Sequence, residues 1–170
     1  MGTMRLTTDR LELRPLPARA AAALPEDREA ASRALGNQLS QDWPAPDLLG
    51  ILPRQSAASA DQECFGIWVM IERSSETVIG DAGFHGPPDD AGTVEVGYSV
   101  TPSRRRRGYA TEAARALVDW ARSHPNVHVI VAGCDPHNVP SICTLERLGF
   151  VRTGEANGEQ RWRYRHHLEG

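Results

Sequence analysis

The hydrophobic pattern of this chain changes from a strand period to a helix period within one short stretch near its middle. Residues 93–100 alternate apolar side chains with small or polar ones, as a strand with one buried face does. From Tyr109 to Ser123, small and apolar residues recur three and four positions apart, which predicts a helix that packs one stripe on a sheet. That stripe consists of Ala110, Ala113, Ala114, Leu117, Val118 and Ala121. The pattern therefore predicts a mixed α/β fold.

The flanking segments supply the other elements of this fold. Residues 6–16 alternate as one opening strand, and the alanine-rich residues 18–35 predict one or two helices broken near Pro25. Residues 37–62 are expected to form a long loop or short helices. A meander of three antiparallel strands is predicted at 65–73, 77–85 and 93–100. After the central helix we expect a strand at 128–134, a helix at 140–148, and strands at 150–153 and 160–168 joined by an Asn157-Gly158 turn.

Length and composition limit the possible classes of protein. The 170 residues carry a formal net charge of −3 and are 40% hydrophobic, which predicts one domain spanning residues 1–170 with a sizeable core. All 19 basic residues are arginine. Schiff-base enzymes and Walker-type phosphate loops both need a lysine amine, so neither chemistry is open to this chain.

Membrane, secreted and metal-binding classes are also disfavoured. The longest apolar stretch, residues 65–71, is far shorter than the roughly 20 residues that cross a bilayer, so no membrane partner is expected. The first nine residues lack the apolar core of a secretory signal, which favours a cytoplasmic protein. Cys64, Cys134 and Cys143 form no CxxC pair, and the histidines lack metal-ligand spacing. We therefore expect no disulfide and no bound metal.

The segment between the central strand and helix has the composition of an anion site. Four consecutive arginines, 104–107, lead into Gly108 and the first helical turn. A helix N-terminus offers unpaired N–H groups and a positive dipole end, and Gly108 and Ala110 let a ligand approach the backbone, so a pyrophosphate is the expected guest. The alternative is a solvated charge run or a nucleic-acid patch. Because the chain is acidic overall and no broad basic face accompanies the run, no nucleic-acid partner is expected.

Four stretches together resemble the GNAT superfamily of acetyl-CoA-dependent N-acetyltransferases, and the resemblance covers most of the chain. The sequence 105–110, Arg-Arg-Arg-Gly-Tyr-Ala, matches the family's pyrophosphate loop, (Arg/Gln)-x-x-Gly-x-(Gly/Ala). The other stretches are similar to the branch that acetylates the N-termini of ribosomal proteins, the RimJ/RimL-like enzymes. They are the opening strand, Thr-Asp-Arg-Leu-Glu-Leu-Arg-Pro-Leu at 8–16, the central strand, Val-Glu-Val-Gly-Tyr at 94–98, and Asn-Val-Pro-Ser at 138–141 followed by Leu-Gly-Phe at 148–150.

The resemblance implies the GNAT acyl-CoA N-acyltransferase fold, an α/β fold of the α+β type. Its central sheet is mixed, mostly antiparallel, split into a V and flanked by helices. Acetyl-CoA would be the co-substrate and would lie in the V, without a metal. The strand through Val100 would bind the pantetheine arm, loop amides from 106 to 111 would bind the pyrophosphate, and Asn138 would lie near the thioester. The implied cofactor-binding residues are Val100, Arg105, Arg106, Arg107, Gly108, Tyr109, Ala110, Thr111 and Asn138.

Glu95 is the candidate general base. Strand alternation places Glu95, Gly97 and Ser99 on one face of the central strand, and the resemblance favours a catalytic carboxylate there, acting directly or through water. The alternative is that Glu95 pairs with an arginine on a solvated sheet face. His85 ends a neighbouring strand beside the presumed acceptor cleft. We expect it to contact substrate at most, without a catalytic role.

Ser141 is the candidate proton donor to the departing thiolate. The wider superfamily often has a tyrosine seven residues after the asparagine, but Leu145 occupies that position here. The Ser141 hydroxyl is therefore the expected substitute, and the alternative is an ordinary residue of a first helical turn. A bulge near Gly97 or Tyr98 would expose a backbone N–H for the oxyanion.

The expected function is therefore transfer of an acetyl group from acetyl-CoA to a primary amine, by direct attack on the thioester. The acceptor is either a protein N-terminus or a small amine, and the sequence does not choose between them. The alternative is a non-catalytic acyl-CoA-binding or interaction domain that has kept the loop but lost turnover. A homodimer is possible by the habit of the superfamily.

Overall fold

A mixed sheet runs through the structure, a computed structural model that describes residues 4–57 and 59–165. The described residues contain nine strands: β1 Leu6–Thr7, β2 Leu11–Pro15, β3 Gln38–Leu39, β4 Ile67–Glu72, β5 Thr77–Phe84, β6 Thr93–Val100, β7 Val129–Cys134, β8 Phe150–Ala156 and β9 Glu159–Tyr164. They also contain six α-helices: α1 Ala18–Ala23, α2 Arg28–Leu35, α3 Pro46–Ser56, α4 Ala60–Glu63, α5 Tyr109–Arg122 and α6 Val139–Leu148. A short 3-10 helix, Pro102–Arg104, precedes α5.

The strand order is β1-β2-β4-β5-β6-β7-β9-β8, with β3 pairing in parallel with β5. Every other neighbouring pair is antiparallel except β6 and β7, which are parallel. The crossover between β6 and β7 contains α5, as a parallel connection requires. The predicted meander is confirmed as β4, β5 and β6.

Two apolar clusters cover the two faces of the sheet. On one face, α5 buries the predicted stripe, in which Ala113, Ala114 and Leu117 are fully buried against β-strand residues. On the other face, α1, α2 and α3 pack over residues such as Val69 and Val78. Because helices cover both faces of the sheet, a ligand can reach it only where strands separate or at the ends of helices.

The central sheet divides after Glu95. Pairing between β6 and β7 is limited to Thr93–Val129, Val94–Ile130 and Glu95–Val131, whereas β6 continues to pair with β5 as far as Val100. This division is the V that the resemblance implied. The expected bulge near Gly97 or Tyr98 is wrong, because the register between β5 and β6 runs without a shift from 96 to 100.

The register determines which backbone groups face the V. The His85 N–H donates to the Glu95 carbonyl and the Thr101 N–H donates to the Ile79 carbonyl, so the odd-numbered residues of β6 hydrogen-bond to β5. The even-numbered residues turn their N–H and C=O groups towards β7. Past Glu95, where β7 has diverged, Tyr98 therefore presents its main-chain groups to the V without any bulge.

Several boundaries differ from those predicted. The single opening strand is wrong, because the Thr8 side chain accepts a hydrogen bond from the Leu11 N–H in a turn that separates β1 from β2. Of the long loop or short helices expected at 37–62, the structure has the helices, α3 with 11 residues despite Pro53 within it, and the four-residue α4. The strand after α6 is longer than expected, since β8 extends to Ala156, and the predicted end of the last strand at Leu168 lies outside the described residues. The break between α1 and α2 near Pro25 is confirmed.

No helix among residues 4–57 and 59–165 is long and apolar enough to cross a membrane. Across the same residues, no group of three or more histidine, cysteine, aspartate or glutamate side chains is placed to hold a metal ion.

Candidate active site

Two cavities meet inside the V. The α5 cavity, about 710 Å³, lies against the N-terminus of α5 and the loop before it. The β6 cavity, about 380 Å³, lies along β5 and β6 beside α3. Four residues line both cavities: Tyr98, Ser99, Asn138 and Ser141. A long molecule in the α5 cavity therefore reaches the β6 cavity at these four residues, where a second molecule can meet it.

The α5 cavity contains an uncapped helix N-terminus. Gly108 is the N-cap residue of α5, and it provides no side chain to bond the first-turn N–H groups. Its φ of 81° lies in the left-handed region, which a residue with a Cβ rarely adopts. Tyr109, Ala110 and Thr111 follow it and line the cavity. Backbone donors and the positive end of the helix dipole therefore face the α5 cavity, an arrangement that suits an anion.

The predicted phosphate-binding arginines have different roles. Arg105 folds back, and its Nε donates to the Val100 carbonyl at 2.9 Å, so that carbonyl is already hydrogen-bonded. Arg106 lines the α5 cavity and is exposed. Arg107 is not among the lining residues. Arg147 from α6 lines the cavity as well, and the sequence analysis did not identify it.

The loop is fixed from behind by Arg10. Its guanidinium donates to the Arg107 carbonyl at 2.8 Å, pairs with Glu112 at 2.8 Å and lies over the Tyr109 ring, 4.3 Å from the centroid. Glu112 also accepts from the Thr8 hydroxyl and from the Arg10 N–H. The opening motif of the chain therefore clamps the loop through a residue 97 positions away in sequence.

A buried carboxylate holds the same loop from the sheet side. Glu72 is 6% exposed and accepts hydrogen bonds from the Tyr109 hydroxyl at 2.7 Å and the Ser75 hydroxyl at 2.7 Å. Arg104 pairs with it at 3.2 Å. Burial raises the pKa of Glu72, but these hydrogen bonds and the arginine charge outweigh burial and lower the pKa overall. Glu72 therefore remains ionised and ties both ends of the loop to β4.

Two paired glycines lie in the part of β5 and β6 that lines the β6 cavity. On the face of the sheet that α3 covers, Asp81 of β5 pairs with Ser99 of β6, and Gly83 pairs with Gly97. Beyond the glycines, His85 and Glu95 are again opposite each other. Gly97 leaves a trough with Asp81 at one end and the His85–Glu95 pair at the other, whereas the Gly66 carbonyl fills the space that a Cβ on Gly83 would take. An acceptor molecule can therefore lie against the backbone of β6.

Glu95 is bonded to two basic side chains. Its carboxylate accepts from His85 Nδ1 and from the Arg161 guanidinium, so the ion-pair alternative from the sequence is observed. The hydrogen bond from His85, assisted by Arg161, lowers the pKa of Glu95 to about 2, against the opposing effect of burial. The same bond raises the pKa of His85. His85 is therefore the member of the pair that titrates closer to neutral pH.

The imidazole of His85 reaches over the trough. A Cβ placed on Gly97 would lie 3.3 Å from His85 Nε2, so this nitrogen lies directly above the backbone of β6. The next two residues of β6, Tyr98 and Ser99, belong to the junction of the two cavities. Sequence reasoning gave His85 no catalytic role. The signal that identifies it is the strand register, which places it opposite Glu95.

Ser141 lies beside a tyrosine hydroxyl that the sequence analysis missed. The Tyr98 hydroxyl and Ser141 Oγ are 3.0 Å apart, and either can donate. Burial raises the pKa of Tyr98, which keeps its hydroxyl protonated. Leu145, the position of the family tyrosine, is buried in the core. Asn138 caps α6, because its Oδ1 accepts from the Ser141 N–H at 3.2 Å, and its side chain lines both cavities.

Asp81 is a further titratable group that sequence reasoning did not identify. Burial raises its pKa to about 6, although a hydrogen bond from Trp43 Nε1 at 3.0 Å acts in the opposite direction. Above this pH the carboxylate is ionised and gives its end of the trough a negative charge. A protonated amine is therefore attracted to the β6 cavity at neutral pH.

Comparison with known proteins gives the family. The model for the acetyltransferase (GNAT) domain matches residues 10–151. The chain is 32% identical to the uncharacterized N-acetyltransferase YjdG of Bacillus subtilis over 162 residues, which are 94% of this chain and 96% of YjdG. The chain therefore belongs to the GNAT acetyltransferases.

Solved structures agree on the fold. The ribosomal-protein-S5-alanine acetyltransferase of Vibrio fischeri superposes with a TM-score of 0.69 at 19% identity, covering 98% of each chain. The microcin C7 self immunity acetyltransferase MccE, solved with acetyl-CoA and AMP, gives a TM-score of 0.65 at 18% identity, covering 92% of each chain. The predicted family and fold are thereby confirmed. The protein is an N-acetyltransferase of the GNAT family, whose co-substrate is acetyl-CoA.

The Arg10 clamp generates the first prediction. Replacing Arg10 with lysine retains the charge but loses the planar group that bonds Arg107 and lies on Tyr109. We expect the KM for acetyl-CoA to rise roughly tenfold, the effect of one lost charge-assisted hydrogen bond, with little change in kcat. Arg5→Lys is the control, because Arg5 pairs with Glu12 on the surface, away from the loop. Steady-state kinetics that give both variants the same KM would contradict the clamp.

Proposed function

We propose that this chain transfers the acetyl group of acetyl-CoA to a primary amine bound in the β6 cavity. The observation that carries the proposal is the meeting of two cavities at Tyr98, Ser99, Asn138 and Ser141, with His85 Nε2 over the adjacent Gly97. The α5 cavity would hold acetyl-CoA, and the amine would enter from the β6 side. Such an arrangement brings the thioester and the amine together from opposite directions, which supplies much of the rate by proximity.

The cofactor is placed by main-chain groups. The N–H groups from Arg106 to Thr111 and the α5 dipole would bind the pyrophosphate, with Arg105 and Arg106 at the same cavity and Arg107 behind it. The pantetheine arm would follow the free edge of β6. Because the Val100 carbonyl already accepts from Arg105, the main-chain groups of Tyr98 are better placed to bond the arm. Asn138 would contact the arm near the thioester.

The proton of the attacking amine passes to His85 in this mechanism. The amine nitrogen attacks the thioester carbon and loses its proton to His85 Nε2, while Glu95 stabilises the resulting imidazolium through Nδ1. Glu95 therefore acts through His85 rather than by direct contact, because a carboxylate with a pKa near 2 is a weak base. Asp81 attracts the ammonium form to the cavity, where it first loses one proton to solvent; the neutral amine then attacks and gives its second proton to His85.

The oxyanion and the thiolate are stabilised at the junction of the cavities. The Tyr98 N–H, on the free edge of β6, would donate to the developing oxyanion. When the tetrahedral intermediate collapses, the C–S bond breaks and the thiolate takes a proton from Ser141 Oγ. The Tyr98 hydroxyl, 3.0 Å away, reprotonates Ser141 in turn, and Tyr98 then takes a proton from solvent while His85 releases its proton to solvent. The products are an N-acetyl amine and free coenzyme A.

Free coenzyme A thiol is the readout that separates this function from a non-catalytic domain. With acetyl-CoA and a panel of small amines and peptides, the proposal expects thiol release that depends on the amine. Saturable binding of coenzyme A without release across the panel would favour the non-catalytic alternative.

A bulky residue at Gly108 tests the cofactor placement. Gly108→Val strains the left-handed backbone, and its Cβ would lie 3.4 Å from Arg10 Nη2, against the residue that clamps the loop, so we expect coenzyme A affinity to fall at least tenfold by calorimetry. Gly158→Val is the matched control, because Gly158 has a φ of 80° in the β8–β9 turn, with open space around it. Both variants should lose stability, but only the first should lose affinity. Equal affinity in the two variants would refute the placement.

The pH profile tests the roles of His85 and Glu95. Since kcat/KM requires neutral His85, it should rise with pH through a pKa above the usual histidine value of about 6.5. Glu95→Gln removes the carboxylate that stabilises the imidazolium, so the pKa of His85 falls. The acidic limb of the profile should then move to lower pH, while kcat falls at least tenfold and acetyl-CoA affinity stays nearly unchanged.

Glu155→Gln is the control for this experiment, because Glu155 pairs with Arg152 on β8, outside both cavities. Its profile and turnover should match those of the parent chain. An unchanged profile and unchanged kcat in Glu95→Gln would remove Glu95 from the mechanism.

A further inference from the structure

A third cavity opens from the side of the β6 cavity. It has a volume of about 320 Å³, and we call it the annex. The annex adjoins the β6 cavity, because both are lined by Ile51, Gly66, Ile67, Phe84 and His85. Since His85 stands at this boundary, whatever is attached to an amine beneath its Nε2 has the annex as a neighbouring space.

The walls of the annex are apolar. Phe65, Ile67 and Phe84 belong to the buried core, and Pro87 adds to the rim. The polar side chain of Gln55 is occupied elsewhere, because its Oε1 accepts from the Ile67 N–H at 3.0 Å and its Nε2 donates to the Leu16 carbonyl at 2.8 Å. Both polar groups of the Gln55 side chain are therefore hydrogen-bonded to the backbone. An apolar ligand would bind there without leaving these polar groups unpaired.

Ile51 is an exposed apolar side chain, and its exposed surface faces cavities. It is 45% exposed on α3 and lines both the β6 cavity and the annex. Leu49, on the same helix, is 41% exposed but lines neither cavity. An apolar ligand in the annex would cover Ile51 and remove both surfaces from water. Leu49 therefore serves as the control for Ile51, because it is a similarly exposed apolar residue on the same helix.

The charge at the annex and its volume further restrict which ligands fit it. Arg54 lines the annex, and its guanidinium disfavours a second ammonium group there, which disfavours polyamines as acceptors. A protein cavity of about 150 Å³ can bind benzene, so the annex has room for one aromatic ring or a branched aliphatic group. The carboxylate of Asp81 lies at the other end of the β6 cavity and attracts the ammonium form of the acceptor into that cavity.

We propose that the annex is a specificity pocket, and that the acceptor is a primary amine carrying an aromatic or large aliphatic substituent. This inference rests on the proposed function, because the amine must occupy the β6 cavity. The same chemistry is found in an arylalkylamine and in a peptide whose first residue is apolar. The substituent enters between Ile51 and Phe84, and the amine points back towards His85.

The test compares acceptors that differ only in the substituent. The small-molecule arm uses 2-phenylethylamine, ethylamine and putrescine, and the peptide arm uses Phe-Gly-Gly and Gly-Gly-Gly. We expect kcat/KM to favour the phenyl-bearing acceptor by at least about tenfold within one arm, the discrimination that an apolar pocket provides. That arm identifies the source of the acceptor. Equal kcat/KM for the members of each arm would overturn the proposal.

Two serine variants connect the preference to the annex. Ile51→Ser should reduce the preference for the phenyl-bearing acceptor several-fold and leave the KM for acetyl-CoA unchanged. Leu49→Ser should keep the full preference. Equal behaviour of the two variants would overturn the proposal, because exposed apolar area on α3 would then have no specific role.

A binding measurement separates this inference from the proposed function. Calorimetry with the coenzyme A-bound chain measures the Kd of 2-phenylethylamine and of Phe-Gly-Gly without requiring turnover. Tighter binding than that of ethylamine or Gly-Gly-Gly, weakened by Ile51→Ser but not by Leu49→Ser, supports the annex even if no acetyl group is transferred. Absence of transfer would count against the function alone. Indistinguishable affinities would count against the annex alone.

Discussion

The structure depends on the short parallel pairing of β6 with β7. After three residue pairs, β7 diverges while β6 continues along β5, so one strand edge is left open in the middle of the sheet. Backbone groups that would otherwise bond a neighbouring strand become available to a ligand. The opening needs no bulge in β6. Both cavities that meet at Tyr98 and Ser141 exist because the two strands separate there.

The open edge is useful only if the loop before α5 is held in one conformation. Glu72 holds it from the sheet, through Tyr109 and Arg104, and Arg10 holds it from the first strands, through Arg107. In the proposed complex, backbone N–H groups together with Arg106 and Arg147 would face the phosphates, while Arg10 and Glu72 hold the loop from behind. This division explains why a run of four arginines is not simply a cluster of phosphate ligands. At least two of the four are committed to contacts within the protein.

Local patterns predicted the elements that depend on local sequence. The strand, turn and helix around Gly108 follow from periodicity and from a residue that tolerates a positive φ, and the structure has all three. Contacts between distant residues were not predictable in this way. Glu95 meets Arg161 from 66 positions away, and its pairing with His85 depends on the strand register. The roles proposed for His85, Tyr98 and Asp81 therefore depend on the alignment of the strands, which local sequence does not give.

The most direct test of the account is the position of coenzyme A in a crystal structure of the complex. The account predicts diphosphate oxygens about 3 Å from the main-chain nitrogens between Gly108 and Thr111, with the sulfur beside Ser141 and the Tyr98 hydroxyl. Coenzyme A bound elsewhere, or a turn that stays empty at saturating ligand, would contradict it.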